Sequence, residues 1–375
     1  MAVWPLPRIT FRALSAVQET RRVALLTSGA AWSALSGDLA LPILIQAEPA
    51  RYDRELFDYL AAHLPSRTEV VYAVGGGAPV EAGKLIAARN HVPLVIVPDA
   101  LDSASMLLAE AQVEDRAGDR RKCRAPVEAV PADEILIDWD VIGAAPDNLR
   151  GAGIVDVIAI VTGLLDWRYA AQKSKNPREQ RFVPWAAGVA TDLAKQAIKG
   201  ATTIGQGDPD ALRTLLDLMM MTVQLSNQLG HRRVQQGSEH YLANIVAATT
   251  GSDAPHAEIV APCLLFCAAL HGQDPSPLSE ALTAAGVRLD QVRATDFNLI
   301  VDNLATHLGD YAWPYSILND LDPFSETVAQ ALDASGLAIL RETWEMPDIT
   351  EATQPVTLES PSEAPHTNKI LAPTE

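Results

Sequence analysis

The sequence predicts a fold of two parts, an α/β half followed by an all-α half. Short β-branched apolar runs alternate with helix-type segments up to about residue 137, which is typical of a parallel sheet covered by helices. Beyond Pro146 the apolar spacing is helical and strand signals are few. A chain of 375 residues is also long for a single core. We therefore predict a nucleotide-binding type of domain over 1–147, a helical domain over 148–345 and a disordered tail over 346–375.

The residues from Glu69 to Pro98 form the clearest unit of the α/β half. Val70 to Val74 is a strand-type run, three glycines at 75–77 follow at once, and a helix-type segment runs from about Ala78 to Arg89. Glycines at the end of a strand let backbone N–H groups approach a ligand, and the helix start behind them favours an anion such as a pyrophosphate. The alternative is a tight turn without a ligand, because the G-x-G-x-x-G pattern is not met.

The rest of the α/β half supplies the neighbours of this unit. In parallel sheets ligands lie beyond the carboxyl ends of the strands, so we expect the site at the glycines, in the cleft between the two halves. The basic cluster from Arg116 to Arg124 is either a surface hairpin tip or a grip for a phosphate. The other predicted elements are strands at Arg22–Gly29, Leu41–Gln46, Glu110–Glu114 and Glu134–Ile137 and a helix at Asp53–Leu64.

The composition limits the class of partner. The chain has 47 acidic and 29 basic residues, a net charge of −18, which disfavours nucleic acid and anionic membranes as partners. No apolar run is long enough to span a membrane, and the first ten residues do not have the pattern of an export signal. The three cysteines do not make a disulfide framework, and Cys263 and Cys267 fit core packing. We expect a cytoplasmic protein with a small-molecule substrate.

Few titratable residues interrupt the apolar segments of the helical half. Asp156, His240 and His256 are three that do, and one carboxylate with two imidazoles is a ligand set for a divalent metal with open positions. Separations of 84 and 16 residues do not by themselves establish such a site. The alternatives are a first-turn helix acid for Asp156 and ordinary polar positions for the histidines.

Five short motifs follow one another in a fixed order between about residues 20 and 320. Together they resemble the iron-containing alcohol dehydrogenase and dehydroquinate synthase-like superfamily, and most closely its glycerol-1-phosphate dehydrogenase branch. The motifs are the loop Gly75-Gly76-Gly77 with Glu81 and Lys84, the stretch PDALDSAS from Pro98 to Ser105, the segment from Gly151 to Trp167, GSEH from Gly237 to His240, and His256-Ala257-Glu258.

The resemblance implies a Rossmann-like N-terminal domain that binds NAD or NADP and a helical C-terminal domain that binds one divalent metal, zinc, iron or nickel. It implies hydride transfer between the nicotinamide and a small polyol, polyol phosphate or alcohol held at the metal, and it allows a homo-oligomer. Asp156, His240 and His256 carry over as metal ligands and catalytic residues, with His271 as a rival for the last. The cofactor-binding residues that carry over are Gly75, Gly76, Gly77, Ala78, Pro79, Lys84, Asp99, Asp102 and Ser103.

The chain also departs from the pattern of that branch. Ala104 stands where the branch has an aspartate near the substrate, and Asn244 where it has a second histidine. Leu108, Ile160 and Asp99 replace a serine, a lysine and a threonine. We therefore expect the metal and nucleotide sites to be kept, and dihydroxyacetone phosphate to be a poor substrate.

Two other functions stay open at this point. One is a sugar-phosphate cyclase of the dehydroquinate synthase type, although Asp156 stands where that branch usually has a glutamate. The other is a non-catalytic protein that retains the fold.

Overall fold

A computed structural model describes residues 5–117, 120–121, 123–309 and 312–339. The predicted tail over 346–375 lies outside the described residues, as do residues 118, 119 and 122 of the basic cluster. The strands are β1 Arg8–Phe11, β2 Val23–Thr27, β3 Ile43–Ala47, β4 Val70–Val74, β5 Leu94–Val97, β6 Glu110–Val113, β7 Arg116–Ala117, β8 Arg120–Arg121, β9 Ala125–Glu128 and β10 Glu134–Ile137.

Six of these strands form one parallel sheet in the order β1-β10-β5-β4-β2-β3. Every residue of β2, β4 and β5 is buried, as expected for strands covered on both faces. Thr27 pairs with Val74, and Val74 with Val97, so the three carboxyl ends meet at one edge. Two antiparallel pairs, β6 with β9 and β7 with β8, lie outside this sheet.

The helices dominate the second half of the chain, so the predicted α/β then all-α order is confirmed. The helix that begins at Pro209 is capped by Asp208, whose carboxylate accepts from Ala211 N–H at 2.9 Å. The helices are α1 Gly29–Leu35, α2 Arg54–Ala62, α3 Ala78–Asn90, α4 Trp139–Ala144, α5 Asp147–Arg150, α6 Ile154–Ile158, α7 Ile160–Gln172, α8 Pro184–Gly205, α9 Pro209–Leu229, α10 Ser238–Thr250, α11 His256–Leu270, α12 Ser276–Ala284, α13 Ala294–Asp302, α14 Leu304–Gly309 and α15 Glu326–Ala334.

One cluster of buried apolar side chains runs from the sheet into the helices. It includes Ala73 of β4, Ile154 of α6 and Phe266 of α11. The predicted boundary between residues 147 and 148 stays a prediction, and the core is continuous across it. Within the described part of the chain, none of the helices is long and apolar enough to cross a membrane.

All three cysteines are buried, and none of them forms a disulfide in the part of the chain that the structure describes. Cys263 and Cys267 lie on α11, which is buried along almost its whole length, so their predicted role in core packing is confirmed. Burial raises the pKa of both thiols, because the thiolate form would have to lose its water.

A buried ion pair joins α3 to β6. Glu81 and Lys84 face each other at 2.8 Å with their side chains 2% and 0% exposed. Lys84 Nζ also donates to the carbonyl oxygens of Ser105 at 3.1 Å and Glu110 at 2.6 Å. Gln112 N–H donates to the Glu81 carboxylate at 2.7 Å. Burial lowers the pKa of Lys84, and the Glu81 carboxylate opposes that shift.

Breaking this pair is expected to destabilise the fold strongly. Lys84→Met leaves a buried carboxylate without its cation, so the free energy of unfolding measured in urea should fall by about 3–5 kcal/mol. Lys84→Met combined with Glu81→Gln should recover part of the loss, because the uncompensated charge is gone. The control is Arg22→Ala, which removes an ion pair that is 48% and 46% exposed and should cost less than about 1 kcal/mol. A loss of that size for Lys84→Met would contradict the prediction.

Candidate active site

A cavity of about 410 Å³ lies at the carboxyl edge of the sheet, between the sheet and the helices. Its size is that of a small-molecule site. Of the predicted site residues, the glycine loop, the stretch after β5 and the three predicted metal ligands all line it. The predicted residues in its wall are Gly76, Gly77, Ala78, Pro79, Asp99, Asp102, Ser103, Asp156, His240 and His256.

Asp156, His240 and His256 converge although they come from three different helices. One candidate ligand atom from each lies within 4.8 Å of those from the other two. The Nε2 atoms of His256 and His240 lie 3.1 and 3.6 Å from the Asp156 Oδ1 atom. Two imidazoles and a carboxylate at this spacing fit a divalent cation of the zinc or iron type.

The charges of the metal-free cluster follow from its burial. Burial raises the pKa of Asp156, but the two histidines beside it more than offset this and hold the pKa well below its usual range. Burial lowers the pKa of His240, but the carboxylates of Asp156 and Glu239 more than offset this and raise it to about 9. His240 is therefore protonated at neutral pH without a metal, and a metal must displace that proton.

His240 and the start of α10 are held by two buried carboxylates. Glu239 contacts His240 Nδ1 at 2.7 Å and accepts from Gly237 N–H at 2.8 Å. The Asp166 carboxylate accepts from Ser238 N–H at 2.6 Å. A Cβ built on Gly237 would lie 2.5 Å from Asp166 Oδ2 and 2.9 Å from Glu239 Oε2. The position thus requires glycine, and the histidine ring is oriented through its second nitrogen.

His271, the rival ligand, lies elsewhere. Its Nε2 contacts Asp166 Oδ1 at 3.0 Å, and the same oxygen accepts from Ile317 N–H at 2.9 Å. The structure therefore brings His256 and not His271 to Asp156.

The glycine loop presents backbone donors to the cavity. The N–H groups of Gly76 and Gly77 donate to no acceptor in the part of the chain that the structure describes. Gly75 and Gly77 have φ angles of 100° and 65°, which side chains with a Cβ rarely adopt. The helix α3 starts directly behind them. Free N–H groups at a helix start fit a phosphate group.

Two carboxylates lie close to these donors. A Cβ built on Gly76 would lie 2.5 Å from Asp102 Oδ2, and one on Gly75 3.6 Å from Asp99 Oδ2. Burial together with the charges of Asp99 and Asp156 raises the pKa of Asp102 to about 7. Burial also raises the pKa of Asp99.

The stretch after β5 is hydrogen-bonded to the candidate metal cluster. Ser103 Oγ–H and Ala104 N–H donate to Asp156 Oδ2 at 3.1 and 2.6 Å. Asp99, Ala104, Leu108 and Asn244 line the cavity, so four of the five departures from the branch pattern lie in its wall.

Two predicted residues lie outside the cavity wall. Gly75 is part of the loop but does not line the cavity, and Lys84 is buried against β6 as described above. Ile160 is fully buried in the core and lies outside the wall as well.

Sequence reasoning missed several residues of the wall. Arg124 lies 3.7 Å above the Tyr52 ring and pairs with Glu114 at 2.9 Å. Arg232, Gln235 and Gln236 come from the loop before α10. Arg124 belongs to the basic cluster, which was the available signal, while nothing in the sequence singles out Tyr52 or Arg232.

Comparison with known proteins addresses the resemblance directly. A glycerol-1-phosphate dehydrogenase of Methanococcoides burtonii is 26% identical over 223 residues, and one of Hyperthermus butylicus is 30% identical over 223 residues. The predicted resemblance is confirmed. Each match covers 60% of this chain and only 60% of the relative's length. No protein-family model matches the chain.

Solved structures share the fold. A probable glycerol dehydrogenase from Sinorhizobium meliloti matches with a TM-score of 0.62 at 16% identity, covering 90% of this chain and 98% of that one. An iron-containing alcohol dehydrogenase from Corynebacterium glutamicum gives 0.60 at 15% identity, with 89% and 98% covered. At these identities the likeness establishes the predicted fold class alone.

The metal content of two histidine variants tests the ligand set. His256→Ala removes an imidazole from the cluster and should reduce bound metal at least about tenfold, whereas His271→Ala should leave it in place. Elemental analysis of the purified proteins measures this, with circular dichroism to check the fold. Equal metal content in the wild type and His256→Ala would rule out the assignment.

Metal binding should also depend on pH in a defined direction. Since the His240 pKa is raised to about 9, apparent metal affinity should increase roughly tenfold per pH unit between pH 7 and 9 and then level off. Chelator competition at constant ionic strength measures the affinity. A flat profile over this range would show that His240 binds no proton in the metal-free protein.

Proposed function

We propose that this protein is an NAD(P)-dependent and divalent-metal-dependent dehydrogenase or reductase of the glycerol-1-phosphate dehydrogenase-like type. One observation supports this above the others. The glycine loop with its free N–H groups and the Asp156, His240 and His256 cluster open into the same cavity. The Asp156 carboxylate also accepts from Ser103 and Ala104, in the stretch after β5, and Asp102 of the same stretch lies beside Gly76 of the loop.

The proposed roles follow from these contacts. Gly75, Gly76, Gly77, Ala78 and Pro79 hold the pyrophosphate at the start of α3, and Asp99, Asp102 and Ser103 border the nicotinamide. Lys84, on α3, supports this region through its bonds to the carbonyl oxygens of Ser105 and Glu110. Asp156, His240 and His256 hold the metal. When bound, a divalent cation there supplies Lewis acidity toward a carbonyl or carbinol, and the nicotinamide supplies or accepts the hydride.

The substrate class is a small alcohol, polyol or polyol phosphate. The curated relatives are named for glycerol 1-phosphate, but this pocket has Ala104 and Asn244 at positions where that branch has polar partners. Each buried hydrogen bond left unmatched costs about 1–3 kcal/mol, so dihydroxyacetone phosphate is expected to react poorly.

The proposal also covers the metal, the nucleotide, the location and the assembly of the protein. Zinc, iron or nickel suits the ligand set, and either NAD or NADP suits the loop. Cysteines that form no disulfide among the described residues suit a cytoplasmic protein. Association into a homo-oligomer is part of the proposal.

The experiment is a reductase and dehydrogenase assay with metal-loaded protein. NADH and NADPH absorbance is followed with dihydroxyacetone phosphate, dihydroxyacetone, small aldehydes and polyols. The proposal expects metal-dependent turnover of at least one of them. Phosphate release without net change in NADH would favour the cyclase, and no binding of nucleotide or metal would favour a non-catalytic protein.

Gly76→Val tests the nucleotide site separately. The new side chain would meet the Asp102 carboxylate and displace it into the cavity, so NAD(H) and NADP(H) binding measured by calorimetry should be lost. Metal content should be retained. The matched control is Gly188→Val on α8, where an added Cβ meets nothing within 4 Å. Unchanged nucleotide binding in Gly76→Val would mean that the loop is only a turn.

A further inference from the structure

The middle glycine of the loop does not need to be a glycine for its backbone conformation. Gly75 and Gly77 have φ angles of 100° and 65°, whereas Gly76 is not in the left-handed region. A side chain at position 76 would instead meet Asp102, whose Oδ2, Cγ and Oδ1 atoms lie 2.5, 3.1 and 3.2 Å from a Cβ built there. The Asp102 carboxylate therefore fills the space that the missing side chain leaves open.

That carboxylate borders the donors assigned to the pyrophosphate. The N–H groups of Gly76 and Gly77 donate to no acceptor among the described residues, and α3 begins directly behind them. Asp102 lines the same cavity and is partly exposed, so a ligand in the cavity can contact it. A phosphate group drawn to these N–H groups would thus arrive next to a carboxylate.

The charges that act most strongly on Asp102 are negative as well. Burial raises its pKa first, and the carboxylates of Asp99 and Asp156 raise it further, to about 7. Arg124, a cation of the same cavity wall, is already paired with Glu114 at 2.9 Å. Like charges in a partly buried site repel one another more strongly than in water, because the surroundings screen them less. A pyrophosphate at the loop would therefore add negative charge where it is already concentrated.

We propose that Asp102 sets the nucleotide affinity of this protein, because its carboxylate opposes the pyrophosphate in front of Gly76. This inference rests on the proposed function and adds a determinant of affinity to its nucleotide site. To reach the N–H groups of Gly76 and Gly77, the pyrophosphate must push the carboxylate aside into the cavity that it borders. The nucleotide is therefore held more weakly, and released faster, than the same loop would hold it without the carboxylate.

A carboxylate near a dinucleotide has one other common role, which predicts the opposite effect. In many dinucleotide sites an acidic residue about 20 residues after the glycines accepts hydrogen bonds from ribose hydroxyls, and its removal weakens binding. Asp99, directly after β5 and Pro98, is the residue placed for that role. Asp102 follows three residues later and lies against the loop itself, which favours opposition to the phosphates.

The test compares nucleotide binding by metal-loaded wild type and Asp102→Asn, which removes the charge and keeps the shape of the side chain. ADP-ribose carries the pyrophosphate without the nicotinamide, so its binding does not depend on hydride transfer. Calorimetry at about pH 8, where the Asp102 carboxyl is ionised, should show ADP-ribose and NADH bound about tenfold more tightly by Asp102→Asn. Adenosine, which has no phosphate, should change less than about twofold. The dissociation rate of NADH, followed by its fluorescence, should fall by a similar factor.

Two further variants and a control separate charge from shape. Asp102→Ser should bind ADP-ribose as tightly as Asp102→Asn, whereas Asp102→Glu keeps the charge and should bind it as weakly as the wild type. The matched control is Asp192→Asn on α8, which removes the same charge from a side chain that is 79% exposed and outside the cavity wall. It should leave the affinity for all three ligands unchanged. Thermal unfolding of each variant checks the fold.

The outcomes distinguish this inference from the proposed function. Equal affinity of wild type and Asp102→Asn for ADP-ribose would overturn the inference and leave the proposed function in place. Weaker binding by Asp102→Asn would overturn it too, because the carboxylate would then accept from the nucleotide. Tighter binding without metal-dependent turnover of any substrate would support the inference and count against the proposed function. Failure of both proteins to bind any nucleotide would contradict both.

Discussion

A buried carboxylate is stable only if nearby groups compensate its charge, and both oxygens of Asp156 have such partners. One of its oxygens faces His240 and His256, while the other accepts from the Ser103 hydroxyl and the Ala104 N–H. The Asp156 carboxylate therefore contacts both the stretch after β5 and the two helices that carry the other candidate metal ligands. Any shift of that group would move both the wall that borders the nucleotide and the cluster that would hold the metal. The arrangement of the whole cavity depends on it.

Two other sets of buried polar side chains hold the walls of the cavity in place. Asp166 and Glu239 fix the start of α10, and they leave room only for a glycine at position 237. On the other side, Glu81 and Lys84 connect the glycine-loop helix to β6. Because each of these groups is buried and paired, removing one partner would leave an uncompensated charge or donor. The shape of the cavity is thus fixed in advance by these buried ion pairs and hydrogen bonds.

Periodicity and glycine placement were enough to predict the strands β2, β3, β4, β6 and β10, the helices α2 and α3 and the loop after β4, because apolar β-branched runs and helical spacing are visible in the sequence. The candidate metal ligands are 84 and 16 residues apart, and only the resemblance predicted that they meet. Spacing of three places Glu81 and Lys84 on one side of α3, but it does not say that this side packs against β6. Arg232 could not be found in sequence, since its position depends on Glu110, 122 residues away.

The buried cysteines have a consequence for the motions of the chain. Thiol reagents attack the thiolate, and the Cys263 and Cys267 thiols on α11 are shielded from water and held in the protonated form. A reagent in solution can modify them only when α11 becomes exposed. The helix begins at His256, so the rate at which Cys263 and Cys267 are modified reports how often the helix that carries this candidate metal ligand separates from its neighbours. The two cysteines of α11 thus allow the opening of this helix to be measured without an added label.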